Sequence, residues 1–260
     1  MAKIKVKTPK EIELIRDAGA LAAVTLLRAG EMVKPGVATI EIDDFIGEFT
    51  KKNGGISACL GYHGYPRNAC ISINDVVCHG IPSKDIILKD GDIVNIDITT
   101  ILSGYHGDTS AMFVVGKPSK DALELVQVTK ECLDRGIEVA GTPGVRYSDI
   151  GCAIQDIADD YGFGVVEDYC GHGIGRNFHE EPTVFHFRNN FKSARIEAGH
   201  VFTVEPMINA GKPGVKVLND KWTAVTKDGS LCAQWEHTIA ITKNGAEILR
   251  VHDVAETVRT

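Results

Sequence analysis

Gly91-Asp92-Ile93-Val94-Asn95-Ile96-Asp97 and Gly199-His200-Val201-Phe202-Thr203-Val204-Glu205 stand 108 positions apart and share one pattern. Each is a glycine, a polar residue, a mostly apolar run and a terminal carboxylate. Short apolar runs rich in β-branched residues and opened by glycine predict buried strands. Burial does not explain a carboxylate at the end of each, so those acids call for a chemical reason.

The match extends outward. Pro35-Gly36-Val37 and Pro143-Gly144-Val145 also lie 108 apart, as do Gly54 and Gly162, while Pro9 and Pro118 lie 109 apart. Thr8-Pro9-Lys10-Glu11 predicts a capping box with proline at the first helical position. Behind it Ile12, Ile15, Ala18, Gly19, Ala22 and Leu26 share one helical face. A second helix is expected from about Thr39 to Lys52, ended by Asn53-Gly54-Gly55. Lys117-Pro118-Ser119 precedes another helical stretch, and a fourth helix is expected from about Ser148 to Tyr161. Several matches in register predict a duplicated α+β half, over about 9–115 and 117–250. The expected architecture is one domain, 1–260, in which two pseudo-twofold-related halves pack helices on a shared antiparallel sheet. The active site belongs at the join, where carboxylates from both halves can meet.

Composition narrows the function classes. The net charge of −7 is spread without a charged run, although 24% of the 260 residues are charged. Nucleic-acid and membrane surfaces both need concentrated Lys and Arg, so neither partner is expected. No stretch approaches the roughly 18 apolar residues of a membrane span, and the polar N-terminus lacks the apolar core of a signal peptide. The seven cysteines are odd in number and contain no Cys-x-x-Cys pair. Reduced, mostly buried thiols in a cytoplasmic protein are expected.

Ile93 to Thr99 and Thr109 to Val115 read as the strands of a hairpin, with Leu102-Ser103-Gly104 as the turn. Centring the turn between Leu102 and Ser103 sets Asp97 opposite Asp108, with Cβ atoms about 4.5–5.5 Å apart. Facing like charges destabilise a sheet, so a cation or a shared proton is required, unless one acid turns to solvent at the hairpin end. Asp97 cannot easily do so between Ile96 and Ile98. The second half adds Glu205, Glu236 before a strand at 237–241, and His172 within Cys170-Gly171-His172-Gly173-Ile174-Gly175. Four carboxylates with one imidazole suit manganese, iron(II) or cobalt better than a thiolate zinc site, although zinc also fits. Four acids exceed the needs of one divalent ion and suit two, roughly 3.5–4 Å apart.

These segments, with Cys59-Leu60-Gly61-Tyr62-His63-Gly64-Tyr65-Pro66, Phe202-Thr203-Val204-Glu205-Pro206-Met207 and Gln234-Trp235-Glu236-His237-Thr238, resemble the signature of bacterial type I methionine aminopeptidases. The resemblance runs from about Ile12 to Leu249 and implies the pita-bread fold. It implies two divalent metal ions on Asp97, Asp108, His172, Glu205 and Glu236, with Asp108 and Glu236 bridging. It implies that His79 assists the leaving group, that His179 hydrogen-bonds the substrate carbonyl and that Glu205 shuttles a proton. The methionine pocket would comprise Cys59, Tyr62, Tyr65, Cys70, Phe178 and Trp222, flanked by His79 and His179. It further implies a monovalent cation on backbone carbonyls near Asn74, Val76 and residue 232, where Cys232 replaces an expected serine. The implied partners are nascent polypeptides starting with methionine and carrying a small second residue, met near the ribosome by a monomeric enzyme.

Three related alternatives fit less well. Proline-specific relatives usually carry an additional N-terminal domain, and type II enzymes carry a long insertion between His172 and Glu205. Metal-free binding proteins on the same fold have broken ligand sets, whereas all five ligands are present here.

Overall fold

The capping box forms as expected: Thr8 Oγ1 accepts the Glu11 N–H at 3.3 Å, and Glu11 Oε2 accepts the Thr8 N–H at 2.9 Å. It opens helix α1 (Pro9–Gly30), which is followed by α2 (Thr39–Lys52). The second helix pair is α3 (Lys120–Ala140) and α4 (Tyr147–Tyr161), the latter starting one residue before the expected Ser148. This computed structural model describes residues 3–191 and 193–249. Residues 1–2, 192 and 250–260, which the expected 1–260 domain also includes, lie outside the described residues.

Strands follow each helix pair. The first half supplies β1 (Ile56–Ser57), β2 (Cys70–Ile73), β3 (Val76–Cys78), β4 (Ile93–Leu102) and β5 (Tyr105–Val114). The second supplies β6 (Gly164–Val165), β7 (Gly171–Gly173), β8 (Glu180–Val184), β9 (Val201–Val204), β10 (Met207–Asn209), β11 (Val215–Val217), β12 (Ala224–Thr226), β13 (Cys232–Gln234), β14 (Glu236–Thr242) and β15 (Gly245–Ile248). One nine-stranded antiparallel sheet runs β1-β4-β5-β14-β9-β7-β8, with β2 on β4 and β15 on β14. The halves join where β14 pairs with β5, Glu236 opposite Ser110 and His237 opposite Thr109. This is the shared sheet that the repeat predicts.

The hairpin register differs from expectation. Leu102 pairs with Tyr105 around a two-residue turn, Ser103 (φ 52°) and Gly104 (φ 78°). Both φ angles are positive, the geometry whose twist matches that of the flanking strands. Leu102 stays in the strand because a bulky residue is strained at positive φ. The ladder therefore shifts: Asp97 faces Ser110 and Asp108 faces Thr99, so the two acids are diagonal neighbours on one face. At the longer diagonal distance of about 7–8 Å, there is room between them for a ligand.

Alternation along β4 explains the rest of the packing. Asn95, Asp97 and Thr99 share the site face, while Val94, Ile96 and Ile98 join a core that includes Leu26, Ile42, Leu125, Ile150, Phe202 and Ile239. That core draws on both halves. Helix α1 lies directly on β5: a Cβ at Gly107 would fall 2.1 Å from the Gly19 backbone nitrogen. A side chain at position 107 would push the helix away from the strand that carries Asp108.

Candidate metal centre

Two rows of side chains cross the seam. Asp97 (β4), Ser110 (β5) and Glu236 (β14) form one row, and Thr99, Asp108, Thr238 and Thr203 form the next. Glu205 follows β9 directly, and His172 lies on β7 against it. His172 Nε2 is 3.7 Å from Asp108 Oδ2 and 3.6 Å from Glu205 Oε1. Ligand atoms of Asp108, His172 and Glu236 all lie within 4.8 Å of one another. Asp97 is close enough to repel Asp108, Glu205 and Glu236. All five expected ligands thus converge.

Three of the acids are buried, and no side-chain cation lines their cavity among the described residues. Asp108, Glu205 and Glu236 are at most 7% exposed, and the side chains lining the cavity include no Lys or Arg among the described residues. Burial pushes the carboxyl groups above their ordinary range, Asp97 to about 7 and Glu205 to about 8. Asp108 and Glu236 are raised further, by burial first and then by the neighbouring acids. Each uncompensated buried ion costs several kcal/mol, on the order of half a small domain's stability. Asp97 Oδ1 and Glu236 Oε1 are buried with no hydrogen-bond partner. Two divalent cations would balance four carboxylates and fill the coordination of those oxygens, so the residues fit the group.

Hydrogen bonds aim the ligands. His172 Nδ1 lies 3.1 Å from the Gly173 carbonyl, which can only accept, so the proton sits on Nδ1 and the Nε2 lone pair faces the acids. Burial, then the neighbouring His179, pulls His172 down to about 3, keeping it neutral as a metal ligand must be. Thr99 Oγ1 donates to Asp108 Oδ1 at 2.8 Å. Thr203 Oγ1 donates to Glu205 Oε1 at 2.6 Å and accepts the His172 N–H at 3.0 Å. His186 Nε2 accepts the Glu205 N–H at 3.1 Å. These supporting residues escape sequence reasoning, because their role depends on cross-strand register; Thr203 inside the repeated strand was the one available signal.

A cavity of about 300 Å³ opens beside the acids, lined by all eight expected pocket residues: Cys59, Tyr62, Tyr65, Cys70, His79, Phe178, His179 and Trp222. Tyr62 and Phe178 pack at a tilt of 48° with ring centres 4.8 Å apart, Tyr65 and Trp222 meet edge-on at 5.1 Å, and Cys59 and Cys70 are buried with Tyr65. The Tyr62 hydroxyl is 2.7 Å from His179 Nδ1. His179 is lowered to about 4, by burial first and then by neighbouring histidines. His79, also lowered by burial, sits edge-on to Tyr169 and adopts φ 56°. A non-glycine residue there costs on the order of 1 kcal/mol, a strain concentrated at functional sites. His63, Asp168, Tyr169, Cys170 and Met207 also line the cavity and were missed. Cys170 opens the His172 motif and Tyr169 directly precedes it, and they were the legible signal.

Of the expected monovalent-cation residues, Asn74 and Cys232 meet: the Asn74 carbonyl accepts the Cys232 N–H at 2.8 Å. Val76 opens β3 nearby in the chain. All seven cysteines are free thiols, five of them buried. Among the described residues no helix is long and apolar enough to cross a membrane.

Comparison with known proteins agrees with this geometry. Residues 13–243 match the model of metallopeptidase family M24. The chain is 51% identical to the methionine aminopeptidase of Escherichia coli K12 over 247 residues, 95% of this chain and 93% of that protein. The crystal structure of methionine aminopeptidase from Rickettsia prowazekii superposes with a TM-score of 0.92 at 47% identity, covering 95% of this chain and 99% of that one. A prolidase from Pyrococcus furiosus shares the fold more distantly, with a TM-score of 0.73 at 26% identity, and this chain covers 64% of it. The chain belongs to metallopeptidase family M24 and, within it, to the methionine aminopeptidases.

Proposed function

We propose that this protein removes the N-terminal methionine from polypeptides by metal-assisted hydrolysis at the seam between its halves. One observation carries the proposal: four carboxylates, three of them buried, and a neutral imidazole, without a side-chain cation, adjoin a cavity of aromatic and sulfur-bearing residues. Cys59, Tyr62, Tyr65, Cys70, Phe178 and Trp222 would take the methionine side chain, since thioethers gain about 0.3–1.5 kcal/mol against aromatic rings.

Asp97, Asp108, His172, Glu205 and Glu236 would hold two divalent ions, with Asp108 and Glu236 contributed one from each side of the seam. Bound there, the ions supply Lewis-acid polarisation and a lowered pKa for the attacking water. Glu205 would take a proton from that water and carry it to the leaving amine. His179 donates to the substrate carbonyl as negative charge develops. The Tyr62 hydroxyl at its Nδ1 favours the tautomer with the proton on Nε2. His79 stands beside the leaving group.

Several finer features belong to the same proposal. The oxygen-rich donor set favours manganese, iron(II) or cobalt, with zinc as an alternative. A monovalent cation would bind backbone carbonyls at Asn74, Val76 and Cys232. The chain acts as one monomeric domain in the cytoplasm, on nascent chains near the ribosome and not on nucleic acid or membranes; the continuous sheet and shared core support the one-domain reading. A small second residue would be preferred, as the family resemblance implies. Metal-reconstituted protein should release methionine from Met-Ala-Ser and little from Met-Lys-Ser. Equal cleavage of both would refute the preference, and release from neither would refute the function.

A further inference from the structure

Lys7 precedes the Thr8 cap, 165 positions from His172, yet its side chain is only 5% exposed and forms an ion pair with Glu180, itself 7% exposed. Lys5 reaches the same carboxylate only at 4.0 Å and is 63% exposed, so Lys7 is the buried partner. Glu180 begins β8 and pairs across to Gly173 of β7. It therefore closes the loop that leaves the His172 strand and carries Phe178 and His179.

The loop is gripped from two sides. On one, the Gly175 carbonyl accepts the His106 N–H at 2.8 Å and lies 3.0 Å from His106 Nδ1, while the His106 ring stacks on Phe178 at 5.7 Å. On the other, Glu180 Oε1 accepts the Asn177 N–H at 3.2 Å while Lys7 holds the second oxygen. A Cβ at Gly175 would lie 2.5 Å from Lys7 Nζ, so the loop is shaped around the ammonium. The Lys7 N–H donates to the Gly199 carbonyl at 2.8 Å, fixing the N-terminal segment to the turn before β9, the strand that leads to Glu205. A buried ion pair is a weak source of stability compared with an apolar pair of the same volume, but its direction and length fix geometry.

We propose that Lys7 is a positioning residue of the active site: its pair with Glu180 sets the 174–179 loop so that Phe178 closes the pocket and His179 meets the substrate carbonyl. This rests on the role given to His179 above. The test is a double-mutant cycle on Met-Ala-Ser hydrolysis with Lys7→Met and His179→Ala, each checked for bound metal per chain. Lys7→Met should lower kcat about tenfold and raise KM, since sub-ångström misplacement is enough for such a loss. In the His179→Ala background it should change kcat less than about twofold, because the group it positions is gone. The same tenfold loss in both backgrounds, or wild-type kinetics in Lys7→Met, would overturn the inference. Wild-type turnover in His179→Ala alone would instead remove the role of His179. If Lys7→Met misfolds around an unpaired Glu180, Lys7→Met/Glu180→Gln removes both charges and enters the same cycle with the same expectations.

Discussion

The two halves of the molecule place their acids by different means. In the first, Asp97 and Asp108 ride one uninterrupted hairpin closed by Ser103 and Gly104. In the second, Glu205 directly follows β9 and Glu236 opens its partner β14, but the chain from Pro206 to Trp235 leaves between them to build β10 to β13 and present Trp222. The contrast separates two duties. The paired strands carry the four candidate acid ligands, and the segments that break the repeat shape the pocket. Residues 58–79 do the same in the first half, supplying Cys59, Tyr62, Tyr65, Cys70 and His79.

The largest test of this division is to remove one acid from each half. Asp108→Asn and Glu236→Gln should each lower kcat more than about 100-fold, the upper end of what changes behind a metal ligand cost. Each should also raise the melting temperature of metal-free protein, since one repelling carboxylate is gone, while abolishing the gain on adding metal. A loss from one half only would break the picture of a shared centre.

A smaller effect is expected at Thr203, which aligns Glu205 and His172. Thr203→Val should weaken metal binding about tenfold, measured by calorimetry, with KM for peptide unchanged once metal is saturating. Trp222→Ala, in the divergent segment, should show the reverse: KM raised about tenfold, as expected for losing about 1.4 kcal/mol of aromatic contact, with metal affinity intact. If Trp222→Ala altered metal affinity instead, frame and pocket would not be separable.

The smallest effect is in pH. Buried carboxyls raised above their unfolded values contribute a penalty absent below about pH 4 and growing as pH rises to the folded values, about 7 for Asp97 and 8 for Glu205. His172, His179 and His186, lowered to about 3, 4 and 3, oppose this trend below their unfolded value of about 6.5, where charging them destabilises the fold. The melting temperature of metal-free protein should therefore change little from pH 5 to 6.5 and fall by a few degrees from 6.5 to 8. The stabilisation by added metal should grow over the same interval, because deprotonated carboxylates bind it better. A metal-free melting temperature that rises above pH 6.5 would contradict the burial of these acids.

Much of this was readable in the chain. Punctuation by Pro-Gly pairs and the matching strands that end in Asp97 and Glu205 located both helix pairs and the seam, because helix caps and strand patterns are local. The ligands and pocket residues followed from motifs that resemble a known family. The hairpin register was misplaced by two residues, since Leu102-Ser103-Gly104 allows two turn positions and only backbone geometry chooses between them. Thr99, Thr238 and His186 were invisible for a related reason: a hydroxyl or imidazole becomes a support only once strands are in register. The Lys7–Glu180 pair spans 173 positions and leaves no local trace.

The most direct measurement is to strip the protein with a chelator and retitrate it with Mn(II), Fe(II) or Co(II), following bound metal by calorimetry and methionine released from Met-Ala-Ser in parallel. A centre built by both halves should bind two ions per chain, with no release from stripped protein and release returning as metal is restored. Full metal occupancy without methionine release, or undiminished release from the stripped protein, would contradict it.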